Sequence, residues 1–327
     1  MKLKPKVQCE LCPKGCIIEP GQSGECRVRI NIDGVLRTVV YGFPCSIHID
    51  PVEKKPLFHF LPASRILSIA TVGCNLHCKN CQNWEISQAN PEDSQAMLQP
   101  PEKLVELAKY YRCPSLAYTY TDPIVFYEYT YDTAKLARTE GIRSVLVTAG
   151  YINEEPWKKL LKYVDAANID LKGITDDFYQ QVCSGTLKPV QQALLTAKAS
   201  GVMVEVTNLI IPTLNDKPEQ IRQLAHWVRA NMGSETPLHF SRFFPRYKMR
   251  HLPPTSAKTL DMAREIALSE GLDYVYIGNI LSQTGQNTYC PACKTLLIER
   301  SGYTILQNQL KNGQCPDCGK KIYGVWK

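Results

Sequence analysis

The sequence predicts an α/β fold: a partial (β/α)6 barrel with small cysteine-rich metal-binding segments at both ends. Three observations carry that expectation. Between residues 65 and 244, short apolar runs rich in β-branched residues alternate with helical patterns, as parallel strands covered by crossover helices do. Two sets of four cysteines, at positions 9, 12, 16, 26 and 290, 293, 315, 318, flank that region. Three more, Cys74, Cys78 and Cys81, share one short loop after the first apolar run.

The six expected strands are residues 66–72, 115–121, 144–148, 166–171, 202–211 and 238–244. Helices are expected at 102–111, 125–140, 157–163, 190–200 and 219–231, and a further pair, helix 256–270 and strand 274–277, extends the series. A closed eightfold barrel needs more repeats than the chain supplies. Ahead of the barrel, residues 28–41 alternate across Asp33 and Gly34 as a hairpin. Behind it, residues 296–299 and 303–306 pair around Ser301 and Gly302. The expected domains are 1–60, a cysteine-rich knuckle and hairpin; 61–286, the barrel; and 287–327, a ribbon. Cys45 stands alone and reads as a small buried hydrophobe.

With 327 residues, 44% of them hydrophobic, the chain can bury a substantial core. No apolar run approaches the roughly 18 to 20 residues of a membrane span. The start, MKLKPKVQCELC, turns polar before a signal-like apolar core can form. A cytoplasmic protein without membrane contact is expected. There, fourteen cysteines argue for metal binding rather than disulfides. The net charge of +7 is spread without a dense basic run. It describes a solvated basic surface, is compatible with an anionic substrate, and does not single out nucleic acid.

Within GCNLHCKNCQNWE (73–85), the CxxxCxxC spacing lets one loop wrap three thiolates around a corner of an iron-sulfur cube, leaving the fourth iron open. The same thiols could share zinc with a distant ligand, or lie buried without metal. Cys9, Cys12, Cys16 and Cys26 punctuate a segment too poor in apolar residues to fold without a crosslink. A tetrahedral zinc would supply it and a second iron-sulfur cluster would also; the third reading is no metal. Cys290, Cys293, Cys315 and Cys318 form CPAC and CPDC knuckles at zinc-ribbon spacing. Ribbons serve as caps, protein docks and nucleic-acid contacts alike, so this one leaves the activity open.

In α/β sheets the functional groups gather at the carboxyl ends of strands. Those ends carry Thr121 and Asp122, Thr148 and Gly150, Asp170 and Lys172, Glu205, Thr207 and Asn208, then His239, Ser241 and Arg242. Asp170 and Lys172 have strand spacing and share a face. Inside a barrel they need partners, since unpaired buried charge costs several kcal/mol. A zwitterionic aminocarboxylate could pair with both, or each could pair with a neighbour. Residues 51–62 (PVEKKPLFHFLP) read either as a linker across the barrel's outer face or as a segment bringing Lys54 or Lys55 to an anionic group near the three thiols. Arg242, Arg246 and Lys248 follow the sixth strand, where they meet a carboxylate or phosphate at the mouth or are solvated.

The three-cysteine loop after the first strand resembles the radical S-adenosylmethionine (SAM) superfamily. The DLK stretch at 170–172 resembles that of pyruvate formate-lyase activating enzymes. With CELCPKGC, DPVEKKPLFHFLP, GCNLHCKNCQNWEIS, AYTYTDPIVFYEY, VEVTNLIIPTLND, PLHFSRFFPRYKM, YVYIGN and the final cysteine pairs, nearly the whole chain is similar to the AmmeMemoRadiSam-system radical SAM enzymes. The resemblance implies that Cys74, Cys78 and Cys81 hold a catalytic 4Fe-4S cluster, that SAM chelates its fourth iron, and that Asp170 and Lys172 hold SAM's amino and carboxylate groups. Thr121 and Asp122, in TYTDP (119–123), sit where the superfamily places its second-strand amino-group motif, here without the motif's glycines. Asn80 stands where an aromatic residue is frequent. With Thr148, Gly150, Asn208 and Arg242 these complete the expected cofactor-binding set.

The implied reaction is reductive cleavage of SAM to a 5'-deoxyadenosyl radical that takes hydrogen from an unidentified, small anionic substrate. A low-potential donor such as ferredoxin or flavodoxin would supply the electron. The alternatives are an activase acting on a glycine of a partner protein, and a metal-stapled protein- or RNA-binding module without catalysis. The family name implies an association with Memo-like and AMMECR-like proteins.

Overall fold

A computed structural model describes residues 5–280 and 285–327; residues 1–4, part of the polar start, lie outside the described residues. Eight strands form the central sheet: β1 (Ser46–Pro51), β2 (Arg65–Ala70), β3 (Ser115–Tyr118), β4 (Arg143–Thr148), β5 (Ala166–Asp170), β6 (Met203–Ile210), β7 (Leu238–Arg242) and β8 (Val275–Gly278). They lie side by side in chain order. β1 pairs antiparallel with β2, Ser46 opposite Ala70, and all other pairings in this sheet are parallel. The six expected repeats are thus extended by a seventh parallel strand. β1 escapes sequence reading because SIHIDP is interrupted by His48 and Asp50 and ends on Pro51.

Helices α1 (Pro101–Tyr110), α2 (Tyr127–Thr139), α3 (Glu154–Leu161), α4 (Leu187–Ala199), α5 (Pro218–Met232) and α6 (Ala257–Ser269) alternate with the strands. α1 and α5 start on Pro101 and Pro218, where a missing N–H costs nothing, and bury stripes such as Leu104, Val105 and Ala108. β3 stops short of residue 121 because Tyr120 takes φ +65° and Thr121 N donates to Thr119 O at 2.8 Å, a tight turn that ends the strand. The hairpin Arg29–Ile32 with Val35–Thr38 turns at Asp33 and Gly34, both at positive φ. No helix among the described residues is long and apolar enough to cross a membrane.

Residues 51–62 do not cross the outer face. They enter the barrel, where Val52, Leu57 and Phe60 pack on Ile66, Ala117, Val145, Ala166 and Met203. Small inner-face residues on β3, β4 and β5 leave a volume that must be filled, and this aromatic segment fills it. The ribbon hairpin, Leu296–Ser301 with Thr304–Asn308, docks beside the plug: Phe58, Tyr274 and Tyr276 pack with Leu297, Ile298 and Ile322. From that hairpin Arg300 donates to Phe58 O at 2.8 Å, Thr288 Oγ1 at 2.8 Å and Gln286 O at 3.1 Å, with its guanidinium 4.3 Å from the Phe58 ring centroid.

Arg300→Ala should therefore strip two buried carbonyls of their donor and uncover Phe58. A loss of about 2 to 4 kcal/mol is expected in guanidinium unfolding. An unchanged midpoint would show that the ribbon does not brace the plug.

Candidate active site

The three-cysteine loop, the carboxyl ends of the strands and the plug enclose one cavity of about 800 Å³. The loop contributes Cys74, Cys78, Asn80 and Cys81; the strand ends contribute Thr121, Asp122, Thr148, Asp170, Lys172, Thr207 and His239; the plug contributes Glu53, Lys54, Lys55 and Phe58.

β2 delivers the loop through Gly73, at φ +92°. A Cβ there would lie 2.6 Å from both Cys26 O and a Val28 methyl, so only glycine fits. The loop is tied from outside: His77 N donates to Cys183 O at 3.0 Å, Lys79 N to Val182 O at 2.9 Å and Asn83 Nδ2 to Tyr120 O at 2.8 Å. Cys183 has no sequence signal, because it is remote in the chain, yet its thiol faces Cys78 from the π-helical turn Tyr179–Cys183. That contact and burial push the Cys78 thiol well up; burial and the Asp122 charge do the same to Cys74. Bare thiolates are thus unfavourable here, and these groups would ionise only beside a cationic centre. At the other end of the chain the Cys290, Cys293, Cys315 and Cys318 sulfurs all lie within 4.8 Å of one another.

Lys172 Nζ donates to Asp170 Oδ2 at 2.6 Å, the neighbour pairing that strand spacing allows. Burial opposes the Lys172 charge, but Asp170 and the Cys78 and Cys183 sulfurs outweigh it and hold its pKa well above the usual lysine value. Asp122 is buried and accepts from Thr148 Oγ1 at 2.8 Å, Ala149 N at 2.8 Å and Ile124 N at 3.1 Å. Burial raises its carboxyl and these bonds only partly offset that. Thr121 Oγ1 donates to Thr71 O at 2.8 Å. Asn80 Oδ1, Thr207 Oγ1 and Glu53 Oε2 line the cavity buried and without a protein partner, so they are the atoms available to a ligand.

Three expected positions do not reach this cavity. Asn208 lies on the helix-facing side of β6 and donates to Leu171 O at 2.7 Å. Arg242 shares the side of Leu238 and Phe240 on β7, donates to Thr255 O at 2.8 Å and lies 4.9 Å from the Phe244 ring centroid. Gly150 backs the Thr148 turn, donating to Thr148 Oγ1 at 3.0 Å and packing near Ile169 and Ala193. Strand parity accounts for the first two: the inner-face positions are Thr207, His239 and Ser241. Arg246 and Lys248 are likewise outside the cavity lining. Cys45 is half-buried beside the core rather than within it. Cys9, Cys12, Cys16 and Cys26 line a separate enclosed cavity.

The cavity floor holds two networks, the first of them joining residues far apart in sequence. Glu205 Oε2 accepts from His239 Nε2 at 2.5 Å and Oε1 from His59 N at 2.8 Å. His59 Nδ1 faces Tyr323 O at 2.6 Å and Nε2 faces Tyr276 Oη at 2.6 Å. A carbonyl only accepts, so Nδ1 carries the proton and Tyr276 donates to Nε2. Beside this, Asp50 accepts from Lys55 at 2.5 Å, Lys54 at 2.9 Å, Ser68 at 2.8 Å and the Tyr120 hydroxyl. Burial brings Lys55 down to about 8, with Asp50 opposing.

A barrel mouth that combines three loop thiols with a paired carboxylate and lysine fits an iron-sulfur-dependent α/β barrel enzyme. Residues 68–228 match the radical SAM superfamily. The chain is 50% identical over 319 residues to the uncharacterized protein MJ0808 of Methanocaldococcus jannaschii, covering 97% of this chain and 95% of the relative. It is 28% identical over 162 residues to the pyruvate formate-lyase-activating enzyme of Clostridium pasteurianum, 48% of this chain and 66% of that enzyme. A radical SAM methyltransferase from Sphaerobacter thermophilus shares the fold, with TM-score 0.52 and 15% identity over 68% of each chain. The chain belongs to the radical SAM superfamily, is a radical SAM enzyme and is related to activating enzymes. That fold implies a 4Fe-4S cluster and SAM.

The His59 imidazole is brought down to about 4 by burial, which the Glu205 charge only partly offsets. Its unfolded value is about 6.5, so the unfolded chain binds the extra proton between those values. Stability should fall as pH drops from about 6.5 towards 4, by up to about 1.4 kcal/mol per pH unit from this group. Urea unfolding at pH 7, 6 and 5 would reveal the slope, and His59→Gln should flatten it.

Proposed function

We propose that this enzyme cleaves SAM reductively at a 4Fe-4S cluster held by Cys74, Cys78 and Cys81 and takes hydrogen from a small anionic substrate in the same cavity. The observation that carries the reading is the meeting of three loop thiols, the Asp170 and Lys172 pair and three unpartnered buried polar atoms around one space. When bound, cluster and SAM supply one-electron cleavage of a carbon–sulfur bond, giving a 5'-deoxyadenosyl radical. The protein's own work is binding and orientation. Lys172, a fixed cation, would face a carboxylate and Asp170 an ammonium, each giving up its present partner for a ligand group of matching charge. The Asp122 and Thr148 turn stands behind them, with Thr121 at its base. The cavity volume lies within the range of small-molecule sites, and Lys54 and Lys55, both bonded to Asp50, are the cations on its floor that an anionic group would meet.

A second reading, activation of a partner protein at a glycine, is favoured by the similarity to the Clostridium pasteurianum activating enzyme. In either case a low-potential donor such as ferredoxin or flavodoxin supplies the electron, in a cytoplasmic setting. Membership of the AmmeMemoRadiSam system, with Memo-like and AMMECR-like proteins as associates, is part of the proposal. So is zinc in the ribbon, where Cys290 and Cys318 sulfurs stand 3.5 Å apart and Cys293 and Cys315 sulfurs 3.6 Å apart.

Anaerobically reconstituted protein given dithionite and SAM should release 5'-deoxyadenosine, and Cys78→Ala should abolish release. Lys172→Ala should weaken SAM binding about ten- to a hundred-fold with iron content intact. Deuterated lysate metabolites and deuterated lysate proteins, tested separately, decide the substrate class. Deuterium reaching 5'-deoxyadenosine only from proteins would replace the small-molecule reading by the activase. Cys290→Ser should remove zinc without loss of the cluster's visible absorbance.

A further inference from the structure

Arg246 and Lys248 stand outside the active-site cavity, and their place on the surface gives them a different use. After β7 the chain runs over the outside of the three-cysteine loop. Lys248 N donates to Lys79 O at 3.0 Å, and the Tyr247 ring stacks on that of Trp84, with centroids 5.1 Å apart and planes 11° apart. Tyr247 takes φ +48°, a left-handed conformation that costs a bulky residue about 1 to 3 kcal/mol. The stack and the bond to Lys79 hold it there, with Met249 buried beneath. The turn Tyr247–Met249 is thereby fixed on the loop, and Arg246, Lys248 and Arg250 are left exposed beside the exposed Lys79. Residues 77–85 and 243–251 hold no other lysine or arginine and one carboxylate, that of Glu85. The adjoining turn Tyr179–Cys183, bonded to the loop through His77 N and Lys79 N, carries no charge. Among the described residues none of the four cations is ion-paired. Lys79 follows Cys78 directly, so their Cα atoms lie about 3.8 Å apart. One turn of chain separates the patch from the thiols.

We infer that Lys79, Arg246, Lys248 and Arg250 form the docking face for an acidic one-electron carrier protein. The inference rests on the proposed cleavage of SAM, which needs one electron from outside the chain. The carrier is oxidised by one electron, the cluster on the three thiols is reduced by one, and no proton or group moves. Unpaired cations gathered on one face steer an acidic partner and fix its register. The substrate is a different occupant, because none of the four residues lines the cavity. Single-stranded nucleic acid fits the face less well, since its bases stack on open aromatic rings. Here Tyr247 lies on Trp84 with Lys248 Nζ 5.2 Å from its ring centroid, and Arg242 lies 4.9 Å from that of Phe244.

The test measures binding of an acidic flavodoxin and of an acidic ferredoxin to the full-length reconstituted enzyme at about 0.01 M and about 0.15 M salt, where charges are screened beyond about 30 and about 8 Å. At least one carrier should bind, and more weakly at the higher salt. There, Arg246→Glu, Lys248→Glu and Arg250→Glu together should weaken binding about tenfold or more. The same reversal at Lys135, Lys159 and Lys162, exposed on and beside α2 and α3, should change it less than about twofold. Iron content and dithionite-driven release of 5'-deoxyadenosine should match wild type in both variants. Carrier binding that ignores the first variant, or falls equally in both, would overturn the docking face, as would a wild type that binds neither carrier. A single-stranded RNA oligonucleotide that binds where the carriers do not, and is lost in the first variant, would give the patch to nucleic acid. Binding is read without turnover, so the two readings fail separately. Wild type that binds a carrier but releases no 5'-deoxyadenosine with dithionite counts against SAM cleavage alone, and normal release with carrier binding unchanged in the first variant counts against the docking face alone.

Discussion

A segment that runs inside a barrel of parallel strands is not part of their ladder, so its peptide groups must find partners among side chains or in another inserted segment. Residues 51–62 meet that constraint with a set of polar residues that the apolar interior would otherwise exclude. Asn168 donates to Pro56 O at 2.7 Å, Glu205 accepts from His59 N, Arg300 donates to Phe58 O, and the C-terminal Val325 N donates to His59 O at 2.7 Å. Each such group left unpaired costs about 1 to 3 kcal/mol, so these partners are set by the plug before any question of catalysis. Glu205, once buried, needs a donor for its second oxygen, and His239 Nε2 provides it. His239 lines the cavity. The floor of the active-site cavity is therefore a consequence of how the barrel is filled.

The two lysine–carboxylate pairs of the cavity, one at its mouth and one on its floor, show how context decides between burial and attraction. At an effective dielectric of about 20, opposite charges 4 Å apart attract by about 4 kcal/mol, comparable with the penalty of burying one of them. Lys172 faces Asp170 and the sulfurs of Cys78 and Cys183, and attraction wins. Lys55 shares Asp50 with Lys54, Tyr120 and Ser68, so burial wins and its pKa falls to about 8. The first lysine is a permanent cation beside the thiols. The second is poised to exchange its proton at mildly alkaline pH.

What the sequence made legible was periodic or local. Alternating apolar runs located β2 to β8, CxxxCxxC located the thiol loop, and paired CxxC knuckles located the ribbon sulfurs, all within 4.8 Å of one another. The cavity lining includes Asp170 and Lys172 because strand parity carries both inward; the same parity, applied residue by residue, turns Asn208 and Arg242 outward, a step that naming whole strand tips omits. The plug, Cys183 and the Glu205 and His239 pair depend on contacts between distant positions, such as His59 with Glu205, 146 residues apart. No window of local sequence contains such a pair.

The N-terminal segment is likewise more than an appendage. Gly73 has room for no side chain because Cys26 O and Val28 lie against it, and Asn75 reaches from the loop into the N-terminal cavity. Asn153 N donates to Leu11 O at 3.0 Å and its Nδ2 to Glu10 O at 2.7 Å, pinning the knuckle to the start of α3. A segment with few apolar residues gains little from burial, about 25 cal/mol per Å², so its own order must come largely from a crosslink. Whatever metal orders that knuckle also fixes the wall on which the three-cysteine loop rests. The loop's geometry, and through it the position of Cys74 against Asp122, is thus coupled to a site that takes no part in lining the cavity.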